Sequence, residues 1–402
     1  MLTPYFNLFA AQSFSAEQED AAIRNNMTAD LSFGHFDILG DFVRGRPEFL
    51  PHLQWLESLD AQELEKQVRV ARQSSVLMTV VMLTGACNAD CTICYTARRK
   101  KRNELSVEEI KRVMDETHAL GSRLLYIPGE GEPTLDRGLF DILEHARMLG
   151  MDVIMFSNGV TFSNDAEAFR CWQLNSEEFV QRLAEYPVHI YHKLWSIDSD
   201  LLTEMMGISP SIYQFADVKV RDHTVRIPRG LELLLRHFPR HRVGIETVVE
   251  RRNAKEIVST IIPLVEQLGL KSYIEPILHA GRCCGVFDYD PPPDARQMLG
   301  KWLSRQNCRR VAYKVIVLGD GTLTYGMALN SQFLRQFHVD AEIGNIRDTI
   351  SREGDLFRLL HTDQSLVWGR YQICGCICEE LSAKFGSKRA GLSTGRQGLV
   401  PV

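Results

Sequence analysis

The chain has 402 residues, 45% of them hydrophobic and 24% charged, with a formal net charge of -5. That is ordinary globular composition, long enough for two or three domains or one barrel with an appendage, and its acidic balance argues against a mainly nucleic-acid-binding protein. No apolar run reaches the roughly eighteen residues of a membrane span, and ten cysteines behind a start without a basic signal-like region point to a reducing compartment, with the cytoplasm expected.

Residues 16–75 read as helical, with acidic starts and apolar repeats in "AEQEDAAIRNNM" and "DAQELEKQVRVARQ", a helical extension assigned to residues 1–77. From Met78 the rhythm changes. "LMTVVMLT" is a short β-branched run, read as a strand buried on both faces. "SVEEIKRVMDETHAL" follows as a helix with a Ser cap and Glu in the capping-box position. Strands are then read at "RLLYIP", "DVIMFS", "VHIYHKLWS", "RVGIETVV" and "KSYIEPIL". Helices lie between them at "RGLFDILEHARMLG", "SEEFVQRLAEY", "PRGLELLLRHF" and "AKEIVSTIIPLVEQLG".

Six strands alternating with helices predict a parallel α/β sheet, with a count suited to a partial (β/α)6 barrel over residues 78–287. No G-x-G-x-x-G joins the first strand to its helix, which weighs against a dinucleotide fold. The insertion Gly207–Gly230 is long for a helix–strand connection; it is read as a substrate-side lid or an ordinary surface loop. "DYDPPPDA" (Asp288–Ala295) marks the expected boundary to a small α+β domain over residues 288–402. That domain opens on a hairpin, "YKVIVLGDGTLTYG", around a Gly-Asp-Gly turn.

Cys87, Cys91 and Cys94 are spaced C-x3-C-x2-C in a loop just past the first strand, where parallel α/β folds place active sites. Three thiolates hold three irons of a cubane [4Fe–4S] cluster and leave the fourth iron open to a small molecule. Zinc is the alternative, but it normally closes with four ligands, and no fourth stands nearby in sequence.

This pattern resembles the radical S-adenosylmethionine (AdoMet) enzymes, over about Met78–Leu278. The resemblance implies that the open iron chelates AdoMet, and that the reduced cluster cleaves it to methionine and a 5'-deoxyadenosyl radical, which removes a hydrogen atom from an unactivated carbon. "YIPGEGEPTLD" is similar to the family's Gly-Gly-Glu-Pro segment, with Gly131, Glu132 and Pro133 matching and Glu130 in place of the first glycine. By the same resemblance Glu132 meets the AdoMet ammonium. Asn158 of "FSNG" lies near the ribose, and Ser196 of "KLWSID" near the carboxylate. Val248 and Asn253 of "GIETVVERRNAKEI" lie near the adenine. An aromatic residue often precedes the family's third cysteine; here that position is Ile93, and the aromatic is Tyr95, just after it, and the resemblance implies that either one covers the adenine of AdoMet.

The region from about Gly281 to Phe385 resembles the SPASM/twitch extension, which implies auxiliary Fe–S clusters. Cys308, Cys374, Cys376 and Cys378 are the candidate ligands of one auxiliary [4Fe–4S] cluster, with zinc as the other occupant of such thiols. The usual hairpin cysteine is absent, Tyr325 and Gly326 standing there, so a second auxiliary cluster is not expected. Cys283 and Cys284 are read either as a buried pair or cluster ligands, or as hydrogen-atom donors to a substrate radical. The basic run Arg98–Arg102 is a solvated loop or a docking surface for a flavodoxin or ferredoxin electron donor.

The expected function is radical chemistry (oxidation, epimerisation or rearrangement) on a small polar metabolite such as a sugar or aminocyclitol, in natural-product biosynthesis. The second reading is maturation of a ribosomally made peptide or protein. A non-catalytic Fe–S redox or sensor protein is the alternative from another class.

Overall fold

The computed structural model describes residues 78–94, 96, 103–120, 122–220, 222–277, 282, 288–289, 291–292, 294, 298–299, 314–324 and 342–349. The helical extension expected over residues 1–77 lies outside the described residues.

The predicted α/β architecture is present. Strands β1 (Met78–Val81), β2 (Leu124–Ile127), β3 (Asp152–Ser157) and β4 (Val188–Lys193) are followed by the hairpin β5 (Phe215–Val220) and β6 (His223–Pro228), then by β7 (Val243–Val249) and β8 (Lys271–Pro276). β1, β2, β3, β4, β7 and β8 pair in that order, every pairing parallel. Such strands are covered on both faces, which is why "MTVV" of β1 and "LLYI" of β2 are mostly apolar and fully buried, the one hydroxyl of β1, Thr79, bonding to Thr117 and Ser122.

Helices return the chain between strands. α1 (Val107–Ala119) starts as the sequence predicts, with Ser106 and Glu109 forming a reciprocal capping box. α2 (Leu139–Met148) separates β2 from β3. After β3 come α3 (Val160–Ser163), α4 (Asp165–Trp172) and α5 (Ser176–Ala184). α6 (Ser199–Met206) and α7 (Arg229–His237) flank the β5–β6 hairpin. The segment read as one helix after β7 is α8 (Ala254–Glu256), a π-helical turn (Ile257–Ile261) and α9 (Ile262–Leu268), closed by Gly269 at φ +65°.

The inner face of the sheet is aromatic. Phe156 of β3 stacks on Tyr191 of β4 at 4.9 Å between centroids, and Tyr126 meets Phe156 edge-on at 5.4 Å. Phe156 also meets Tyr273 of β8 at 5.6 Å. In a flat sheet, strands three places apart lie about 14 Å apart, so this contact shows that the sheet curls into a barrel-like lumen.

The C-terminal hairpin forms as β9 (Lys314–Val317) and β10 (Thr322–Thr324), with Gly321 at φ +84° in its turn. β9 pairs in parallel with β1, and β11 (Glu342–Asn345) pairs with β10, ahead of α10 (Ile346–Thr349). Among the described residues, the hairpin and β11 thereby extend the same sheet to nine strands. The long insertion is the β5–β6 hairpin, a separate two-stranded sheet. It is anchored by the buried Tyr213, whose hydroxyl donates to the Asn158 carbonyl at 3.1 Å, and by the Asn164 amide donating to the Ile212 carbonyl at 2.8 Å.

Candidate active site

The loop that leaves β1 carries Cys87, Cys91 and Cys94, and its backbone is fixed from several sides. The Asp90 and Thr92 amides donate to the Met206 and Met205 carbonyls, each at 2.9 Å, which seats the loop on the end of α6. That approach needs Gly207, where a Cβ would meet the Asp90 carbonyl oxygen at 2.3 Å and where φ is +58°. Glu104 accepts from the Gly85 amide at 2.8 Å and from the Thr84 hydroxyl. Arg282, which follows β8, donates to the Asp90 carbonyl at 3.0 Å and pairs with the Asp90 carboxylate, while its own amide donates to the Cys94 carbonyl at 2.9 Å.

The Gly-Glu-Pro loop after β2 joins this unit. The Gly131 and Glu132 amides donate to the Thr84 and Ala86 carbonyls, both at 2.8 Å. A Cβ on Gly131 would meet the Ala86 oxygen at 2.1 Å, so only glycine allows the two loops to touch.

Glu132, the candidate ammonium ligand, is buried, and its carboxylate serves the protein itself. Oε1 accepts from the Thr134 amide (3.2 Å), the Thr134 hydroxyl (2.8 Å) and the Ser157 hydroxyl (2.8 Å), and Oε2 accepts from the Asn158 amide (2.7 Å). It is a strut between the ends of β2 and β3. Asn158 in turn sends its side-chain amide to Asn88 Oδ1 at 2.9 Å and toward Cys87 Sγ at 3.7 Å.

Among the described residues, no three His, Cys, Asp or Glu side chains converge as ligands of a single metal ion. The fit to a cluster therefore rests on the donors' chemistry and their surroundings. The donors are soft sulfur, which suits iron–sulfur ligation. Burial pushes the Cys91 thiol up to about 12, opposed chiefly by the Lys193 ammonium. Burial and the Glu132 carboxylate raise Cys87 as well. Thiols in this setting become good ligands only when a metal stabilises the thiolate. The Asn158 amide points at Cys87 and the Lys193 charge favours the thiolates of Cys87 and Cys91, and the residues present fit the group.

The ends of β4 and β7 are linked by side chains expected from the sequence to face AdoMet. The Asn253 amide donates to the Trp195 and Val248 carbonyls at 2.8 Å each, and its Oδ1 accepts from the Glu250 amide at 2.9 Å. The Ser196 hydroxyl donates to Glu256 Oε2 at 2.6 Å and accepts from the Asp198 amide at 3.0 Å. Val248 is half-buried against the core. Tyr95, Cys283, Cys284, Cys308, Cys374, Cys376, Cys378 and the basic run after Ala97 lie outside the described residues.

Sequence reasoning missed a row of charges in the lumen. Register places Lys193 of β4 opposite Glu246 of β7, and Glu246 opposite Tyr273 of β8; Glu275 lies two positions further along the same face of β8. The Trp195 indole donates to Glu246 Oε2 at 3.2 Å. Burial raises both carboxyls, Glu275 to about 8 with Glu246 repelling its charge, while Lys193 opposes both shifts. The available signal was a charged residue inside an otherwise apolar strand, as in "YIEPIL". Such groups are costly to bury without a purpose.

Residues 81–261 match the family model of the Radical SAM superfamily. Among curated proteins, the chain is 29% identical over 108 residues to the Fe-coproporphyrin III synthase of Methanosarcina barkeri, covering 26% of this chain and 27% of that one. It is 30% identical over 105 residues to the PqqA peptide cyclase of Rhodopseudomonas palustris, covering 25% and 28%. The match thus spans little more than a quarter of either relative's length. Among solved structures, Streptococcus suis SuiB bound to precursor peptide SuiA matches with a TM-score of 0.51 at 15% identity, over 75% of this chain and 68% of that one. SuiB bound to S-adenosylmethionine matches with the same score at 14% identity, over 86% and 76%. These likenesses show the fold. Residues 81–261, the part that matches the superfamily model, carry the three cysteines and strands β2 to β7.

Proposed function

We propose that the protein is a radical AdoMet enzyme that modifies a peptide or protein substrate. The observation that carries the chemistry is the joining of the cysteine loop, the Gly131–Glu132 loop and Asn158 into one hydrogen-bonded unit at the strand ends. Cys87, Cys91 and Cys94 would hold the [4Fe–4S] cluster. Bound there, the reduced cluster and AdoMet supply a 5'-deoxyadenosyl radical able to take a hydrogen atom from an unactivated carbon.

The chain's own residues do the positioning. Gly131 lets the loop backbone lie against the cysteine loop. Glu132 keeps the β2 and β3 ends in register. The Asn158 amide donates toward the Cys87 sulfur and favours its thiolate form. Asn253 fixes the β7 end against β4, where the adenine would lie. Lys193, Glu246 and Glu275 offer the substrate a polar, charged wall inside an aromatic lumen.

Two likenesses favour the peptide over the small polar metabolite expected from the sequence. One curated relative is named a peptide cyclase, and the fold matches a protein solved with its precursor peptide. The charged lumen would serve a polar metabolite as well, and the other curated relative is named for a porphyrin product. The deciding experiment incubates the anaerobically reconstituted, reduced enzyme and AdoMet with deuterated candidate peptides, including those encoded beside its gene. Deuterium in 5'-deoxyadenosine together with a mass change in the peptide supports the reading. Deuterium transfer from small metabolites alone restores the first expectation. AdoMet left uncleaved under all conditions favours a non-catalytic Fe–S protein.

A further inference from the structure

Glu130 occupies the place where the family's motif has its first glycine, and the structure gives that departure a partner. The Glu130 side chain is buried and leaves the Gly-Glu-Pro loop toward the C-terminal hairpin, where the Gly319 amide donates to its Oε2 at 3.2 Å. The fit is close: a Cβ on Gly319 would lie 2.7 Å from that oxygen. Gly319 is 189 residues away in sequence.

The same turn reaches the cysteine loop twice. The Gly319 carbonyl accepts from the Leu105 amide at 2.8 Å, and the preceding Glu104 clamps Gly85 and Thr84. On the other side, the Glu130 carbonyl accepts from the Thr96 hydroxyl at 2.7 Å, which lies 3.3 Å from Cys94 Sγ. β9 itself is held beside β1, with the Met82 amide donating to the Val317 carbonyl at 3.0 Å.

We propose that Glu130 is a positioning residue: its carboxylate latches the Gly319 turn of the C-terminal hairpin to the loop that receives AdoMet, so that the C-terminal region sets the geometry of the initiating site. The latch rests on the contacts alone; its effect on AdoMet rests on the radical AdoMet reading. A glycine at 130 would keep the family's backbone and lose the link.

The test compares the full-length reconstituted wild type with Glu130→Gly and Glu130→Gln by amide hydrogen exchange and by equilibrium binding of AdoMet. In Glu130→Gly, exchange across residues 314–324 rises on the order of tenfold, as expected when a buried hydrogen bond to a charged group is lost, and AdoMet binds on the order of tenfold more weakly. Glu130→Gln keeps an acceptor and stays near the wild type in both. Unchanged exchange in Glu130→Gly overturns the latch. Faster exchange with unchanged AdoMet affinity overturns its positioning role. If the iron-loaded wild type binds no AdoMet, the functional reading and the positioning role both fail, and exchange alone decides the latch.

Discussion

Replacing Glu132 by Ala tests whether this carboxylate is a strut or a ligand held ready for an ammonium group. The structure gives it four donors, but their losses are unequal. The Thr134 hydroxyl still has Thr161 Oγ1 at 2.8 Å, and the Ser157 hydroxyl still accepts from the Gly159 amide at 3.1 Å. The amides of Thr134 and Asn158 lose the carboxylate that accepts them. Leaving two buried amides unsatisfied costs about 2–6 kcal/mol. Removing a buried charge recovers some desolvation, so the lower half of that range, about 2–4 kcal/mol, is expected. Against a domain stability of about 5–15 kcal/mol, this is a large and measurable loss. The assay is urea denaturation followed by tryptophan fluorescence, variant against wild type in the same metal-loading state. Glu132→Gln keeps one oxygen but turns an NH2 toward a donor, and should lose about 1–3 kcal/mol. An Ala variant within about 0.5 kcal/mol of the wild type would refute the strut and return the carboxylate to an AdoMet role.

Three further outcomes follow from named contacts. Gly131→Ala forces a Cβ to within 2.1 Å of the Ala86 oxygen, so the cysteine and Gly-Glu-Pro loops must part; AdoMet binding by the reconstituted variant should fall at least tenfold, and unchanged affinity would show that the loops need not touch. Glu275→Gln tests the lumen charge through pH. Burial raises the Glu275 carboxyl from 4.5 to about 8, so the folded state holds the proton longer than the unfolded chain and the wild type loses stability as pH rises between those values. Relative to the wild type, the Gln variant should therefore gain in urea midpoint from pH 5 to pH 8; a pH-independent difference contradicts this. Asn253→Ala removes the link between the Trp195 and Val248 carbonyls and should raise the Kd for AdoMet with a smaller effect on stability than Glu132→Ala, read by equilibrium binding and urea midpoint.

The strands were legible because burial on both faces leaves an apolar signature, and the six predicted parallel strands match the observed ones to within a few residues. The motifs at their ends were legible for a different reason. Spacing such as C-x3-C-x2-C is a local property, whereas the contact that requires glycine at 131, with the Ala86 backbone 45 residues earlier, could not be read from the motif.

What was hidden is what depends on distant partners. Nothing local to Ser196 indicates that its hydroxyl turns to Glu256, 60 residues away, or that Glu132 is saturated by its own neighbours. The short helices α3, α4 and α6 are too brief to show periodicity, although Asn164 and Asp198 cap two of them. The parallel pairing of β9 with β1 joins segments more than 230 residues apart, which no hairpin signal encodes.

The central claim is that Cys87, Cys91 and Cys94 build an iron–sulfur site that cleaves AdoMet. Its most direct test is the yield of 5'-deoxyadenosine when anaerobically reconstituted wild type and Cys87→Ala are reduced in the presence of AdoMet. The wild type should accumulate the product and the variant none; equal yields, or no product from the iron-loaded wild type, would contradict the account.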